Sequence, residues 1–195
     1  MKENLINLFL NFNLQPEIEK FYIELVLELG NCIFSAGLIF VSENIIHYNI
    51  SNSNKTITKT TLNDYEEGVF LSTTVVSSPV FSVRIVTNPG ACCICIGVAF
   101  NKSHFTQDLR TVGWCIYSAS RTHYALGVSY QTGATIQVGQ NVTVLVDVAL
   151  KQISYQVNGV SAGPTRNLSL TDAQMQLLRP TVQIGYIGDR VEIIP

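Results

Sequence analysis

The sequence is short of charge. Its 195 residues include 12 Lys and Arg, 14 Asp and Glu, three histidines and a single tryptophan. No basic cluster occurs, and the net charge is −2, so there is no electrostatic footprint for nucleic acid or for an anionic membrane surface. Long apolar runs are missing as well. The longest apolar window, residues 21–41, is interrupted by Glu24, Glu28 and Gly30, which argues against a membrane span. The run Leu5 to Leu14 is broken by asparagines and has neither a basic start nor a small-residue cleavage site. A secretion signal is therefore not visible, and a cytoplasmic location is expected.

The signatures of catalysis are absent too. The sequence has no G-x-S-x-G, no H-E-x-x-H and no phosphate-cradling glycine loop, and His47, His104 and His123 are dispersed, so we expect no enzyme and no cofactor. The five cysteines are Cys32, Cys92, Cys93, Cys95 and Cys115. An odd number, three of them packed into ACCICIG, makes a poor disulfide framework. A strand there would put Cys93 and Cys95 on one face and Cys92 on the other, which is no metal-binding turn. They read as small buried hydrophobes in a reducing compartment, with no metal site. Five Asn-x-Ser/Thr sequons, at Asn49, Asn54, Asn101, Asn141 and Asn167, read as chance in an asparagine-rich sequence.

What the sequence does have is apolar material, 47% of its residues, enough for one sizeable core and an appendage. Residues 1–30 carry a helical period. Pro16 suits a first helical position, Glu17 and Glu19 its first turn, and Ile18, Phe21, Tyr22, Leu25 and Leu29 recur at spacings of three and four before Gly30. From residue 31 to 195 the pattern turns to strands: short runs rich in Val, Ile, Thr and Tyr, separated by Gly, Asn, Pro and Ser. Between Gly68 and Asn101 the one charged side chain is Arg84, so strands buried on both faces are expected there. The spacing predicts an all-β, two-layer antiparallel sandwich with a short N-terminal helical segment. LTDAQMQLL, near Leu170 to Leu178, predicts a helical turn capped by Thr171 and Asp172. VTVLVDVALKQISYQVNGV predicts two strands joined near Ala149 to Gln152, followed by an Asn158-Gly159 turn. Asp147 is placed to accept backbone N–H bonds at the first turn.

The order VFSVRIV, CIGVAF, GW and a strand, VLVDVALKQISYQVNG, Arg166-Asn167-Leu168 and LRPTVQIG resembles a SPRY domain. The resemblance spans about Val80 to Ile194 and implies a bent, concanavalin-like jelly-roll sandwich whose loops bind proteins or short peptides without catalysis. Two turns depart from the family pattern: Gly139-Gln140 replaces Gly-Asp, and Gly163 is followed by Pro164-Thr165. On this reading Gly113 to Tyr117 is a core strand around Trp114, and the loops carry the contacts. NKSHFTQDLR offers His104, Phe105 and Arg110; SASRTHY offers Arg121, His123 and Tyr124; GYIGD offers Tyr186 and Ile187. Arg121 and Arg110 are expected to pair with carboxylates or carbonyls of the partner, and the aromatic residues to supply apolar area. The expected function is a protein-interaction or adaptor module. The alternatives are a scaffold subunit docked into a larger assembly by its N-terminal helices, and a glycan-binding lectin-like domain.

Overall fold

The computed structural model describes residues 38–41, 47–61, 68–90, 93–100, 107–130 and 133–195. The N-terminal helical segment expected from the sequence lies outside these residues. The described elements belong to one unit, Leu38–Pro195. In sequence order they begin with β1 (Phe40–Val41), β2 (Tyr48–Ser51), β3 (Thr56–Lys59), β4 (Gly68–Leu71), β5 (Val80–Thr87) and β6 (Ile94–Phe100). Helix α1 (Leu109–Val112), β7 (Gly113–Tyr117), β8 (Thr122–Ala125), β9 (Val128–Tyr130), β10 (Asn141–Asp147) and β11 (Gln152–Val157) follow. The last elements are β12 (Val160–Ser161), β13 (Arg166–Asn167), α2 (Asp172–Met175), β14 (Leu178–Ile184) and β15 (Arg190–Ile194).

The strands form two antiparallel sheets, as expected. The first runs β1-β4-β14-β6-β7-β8-β9; the second runs β12-β11-β10-β5-β15-β3-β2, with β13 also paired to β11. Period-two alternation faces the apolar side chains inward. On β10 and β11, Val142, Val144 and Val146 sit opposite Val157, Tyr155 and Ile153, all buried. On the first sheet, Ile96 pairs with Val182 and Ile116, Ile116 with His123, and His123 with Tyr130. That row runs along the face turned to the second sheet. Trp114, opposite Val98 and Ala125, is 2% exposed and meets Phe100 edge-on, with ring centroids 5.7 Å apart.

Local expectations are met where the chemistry is short-range. Asn158 and Gly159 both take positive φ, as a tight hairpin turn of this kind requires. Asp147 Oδ1 accepts the Leu150 N–H at 2.8 Å. Thr171 caps α2 with Gln174 in a reciprocal pair of hydrogen bonds. Gly97 in β6 has a packing reason, since a Cβ there would fall 1.9 Å from the Trp114 carbonyl oxygen.

Three expectations need correcting. β6 is buried along nearly its whole length, but β5 alternates, with Val80 and Arg84 exposed; its outer face is solvated, so few charges did not mean burial on both sides. The stretch NKSHFTQDLR ends in α1 rather than in loop, because Asp108 caps it by accepting the Arg110 N–H. Cys93 precedes β6 at positive φ, out of the strand's alternation. It is disulfide-bonded, whereas Cys95 and Cys115 are free and buried.

Candidate protein-binding surface

The strand directions sort the loops to two ends. Ile94 pairs with Ile184 and Cys95 with Tyr117. Residues 88–90 and the turns 118–121 and 185–189 therefore share one end of the sandwich, here called the rim. The β8–β9 turn, the β10–β11 turn and α1 lie at the other. This divides the residues singled out from the sequence. Arg121, Tyr186 and Ile187 come to the rim, with β7 and β14 flanking β6. β6 ends and α1 begins at the opposite end, and His104 and Phe105, between them in sequence, lie outside the described residues.

Tyr186 and Ile187 are held in a braced turn. The Tyr186 N–H donates to Asp189 Oδ2 at 3.1 Å, and the Asp189 N–H returns to the Tyr186 carbonyl at 3.1 Å. Gly90 of the neighbouring turn packs on the Tyr186 ring so closely that a Cβ would lie 2.4 Å from it. Thr87 Oγ1 donates to the Gly188 carbonyl at 2.5 Å. Ile187 is left 46% exposed at the tip of this frame. Asp189 is fully buried, and burial pushes its carboxyl up to about 6, against the pull of the Tyr186 and Gly90 N–H groups.

Arg121 is half-buried in the β7–β8 turn at positive φ. The expected loop is shorter than SASRTHY, because Thr122–Ala125 is strand β8. Tyr124 points outward, where Tyr117 meets it edge-on at 6.2 Å and Cys93 Sγ lies 3.2 Å from the Tyr117 hydroxyl. The Arg110 guanidinium reaches along this outer face to 5.2 Å from the Tyr117 ring and 5.8 Å from that of Tyr124. It is already committed within the protein, since its Nε donates to both Asp108 oxygens at 3.0 and 2.8 Å. Arg110 thus braces the tyrosine pair, with its guanidinium paired to Asp108 on the same element.

His123 is corrected as well. Alternation puts it on the inner row with Ile96 and Ile116, 1% exposed, its ring 4.6 Å from that of Tyr155, so it does not stand in the exposed loop where it was expected. Burial first, then the Arg166 charge, lower its pKa to about 4, with the Ala162 backbone pulling weakly the other way. The imidazole is neutral at pH 7. Sequence reasoning missed Tyr117 and Asp189; extending the alternation of GWCIY by one residue turns Tyr117 outward.

Among the described residues no group of three or more His, Cys, Asp or Glu is placed to hold a metal, and no helix is long and apolar enough to cross a membrane. No protein-family model and no curated protein matches the sequence. Solved structures do match the fold. The SPRY domain of human HERC1 aligns at 17% identity with a TM-score of 0.53, covering 75% of this protein and 91% of that domain. The TRIM65 PSpry domain aligns at 13% identity and a TM-score of 0.61, covering 87% and 99%. Stonustoxin aligns at 14% identity and 0.59, covering 81% of this protein and 28% of the toxin. Two antiparallel sheets in this strand order, with these relatives in shape, give the protein the SPRY-type β-sandwich fold.

Proposed function

We propose that the protein is a non-catalytic interaction module that binds a partner protein or a short peptide segment through the rim. The observation that carries this is the Tyr186–Ile187 turn. An aromatic ring and an exposed aliphatic side chain are presented on a backbone already fixed by Asp189, Gly90 and Thr87. Such pre-organisation lowers the ordering cost of binding, and buried aromatic anchors dominate interface energies. Arg121 adds a cation at the same end, and Tyr124 with Tyr117 extends the surface along the outer face. The SPRY-type fold supports the reading, because SPRY domains are generally protein-interaction domains. His104 and Phe105 remain part of the proposed contact set.

The test is affinity capture with quantitative mass spectrometry, comparing the wild type with its Arg121→Ala/Tyr186→Ala double variant. The double variant is expected to lose at least about 90% of each specific partner, in line with two anchor residues of more than 1 kcal/mol each. Its melting temperature is expected to stay within a few degrees, because both residues are only half-buried. Equal recovery of the same partners by both proteins would remove the rim from the account.

A further inference from the structure

Where the β8–β9 hairpin faces β11 and β13 across the sandwich, three buried nitrogens lack a hydrogen-bond partner. They are the Arg166 Nε and both ring nitrogens of His123, for which the Ala162 backbone is close but not aligned for a hydrogen bond. Arg166 also forms no ion pair with the described residues, where the ion pairs are Arg110–Asp108 and Lys151–Asp172. Its guanidinium lies on the Tyr130 ring, 3.8 Å from the centroid, and Tyr130 is the cross-strand partner of His123. Arg166 itself sits opposite Ile153 on β11, two residues from Tyr155, whose ring packs on His123. The neutral His123 ring offers one N–H donor and one acceptor nitrogen, so with the Arg166 Nε–H the place holds two unpaired buried donors, and the Tyr155 hydroxyl beside them also lacks a partner. Buried donors left unpaired each disfavour the fold, which marks a site awaiting an acceptor. Stacking uses the face of the guanidinium and leaves its Nε edge free to grip two oxygens side by side.

We propose that the Arg166–Tyr130–His123 cluster is a receptor for one carboxylate of the bound polypeptide, gripped by the Nε edge of Arg166 and by an N–H of His123. The site holds one cation beside a neutral imidazole, which matches a monoanion better than a phosphate dianion. An acidic side chain and a polypeptide C-terminus share this chemistry. Tyr130 ends β9 opposite His123, and Arg121 lies two residues before His123 in the turn that leads into β8. This inference rests on the polypeptide-binding reading for the source of the carboxylate, though the anion site itself is tested apart from it.

The experiment titrates the ¹⁵N-labelled full-length protein with sodium acetate against sodium chloride at matched ionic strength, and follows the Arg166 Nε–H and His123 ring signals. The expected result is a saturable shift of both in the millimolar range, as suits so small a ligand. Binding is expected to weaken at least about tenfold in Arg166→Gln. It should also weaken in Arg166→Lys, which keeps the charge but loses the two-donor edge and guards against misfolding of the first variant. Peptide pairs differing as Glu against Gln, or as C-terminal acid against amide, then distinguish the two sources. Absence of a saturable shift, a shift that survives Arg166→Gln, or contact of these nitrogens with water alone would overturn the proposal. Tighter binding of inorganic phosphate than of acetate would overturn its carboxylate assignment. If acetate binds while the rim variant still captures its partners, the rim reading fails and the anion site stands. If capture depends on the rim and acetate does not bind, the reverse holds.

Discussion

Trp114→Ala is expected to destabilise the sandwich by about 3–5 kcal/mol, the range for emptying a buried aromatic site. At roughly 2–4 °C per kcal/mol for a protein of this size, the melting midpoint should fall by about 10 °C. The indole is 2% exposed and faces Phe100 within the core, its strand locked between Val98 of β6 and Ala125 of β8. The neighbouring backbone is poorly able to close the gap, because Gly97 already lies against the Trp114 carbonyl. Tyr124→Ala, on the outer face of the same strand pair and half-exposed, should cost about 1 kcal/mol or less. Circular dichroism is the suitable readout, since the substitution removes the protein's tryptophan fluorescence. Equal, small losses for both variants would place Trp114 outside the core.

The second large effect concerns acid. His123 titrates at about 4 in the folded protein against 6.5 in its ordinary state, and Asp189 at about 6 against 3.8. Between about pH 4 and 6 the unfolded state binds a proton at His123 that the folded state refuses, so this group makes stability fall as pH falls. Over the same interval the folded state holds a proton at Asp189 that the unfolded state has released, so this group makes stability rise as pH falls. The two contributions oppose each other. Asp189→Asn should therefore lose up to about 3 kcal/mol relative to wild type between pH 7 and pH 4, by shedding the compensating group. At pH 7 it should be the more stable protein, because a carboxamide still accepts the Tyr186 N–H while the buried charge is gone. His123→Phe should change in the opposite direction across that interval. Urea midpoints at pH 4.5 and 7 check both, and differences from wild type cancel the other carboxylates. Parallel pH profiles for all three proteins would contradict the burial assigned to these residues.

Much of this fold is legible in the sequence because it is local or periodic. The alternation of VTVLVDV and QISY marks the core face of β10 and β11, Asn158-Gly159 marks the turn between short strands, and Thr171 marks a helix start. The ordered pieces around GW and LRPTVQIG imply the SPRY-type sandwich seen here. What sequence reasoning misses depends on partners far apart in sequence. THYA is polar and short enough to read as loop, and only pairing with β7 and β9 makes it strand and turns His123 inward. The commitment of Arg110 to Asp108 depends on a helix of one turn. The brace beneath Tyr186 depends on Gly90 and Asp189, nearly a hundred residues apart. The placement of α1 at the end away from the rim depends on strand direction, which a list of loops does not contain.

The central claim is that a partner is held at the rim. Hydrogen exchange of the protein, alone and in complex with a captured partner, measures this most directly. The account predicts slowed exchange at residues 118–121 and 185–189, with Tyr124 beside them. Protection confined to the solvated outer face of the second sheet, around Arg84, Thr143 and Gln156, with the rim unchanged, would contradict it.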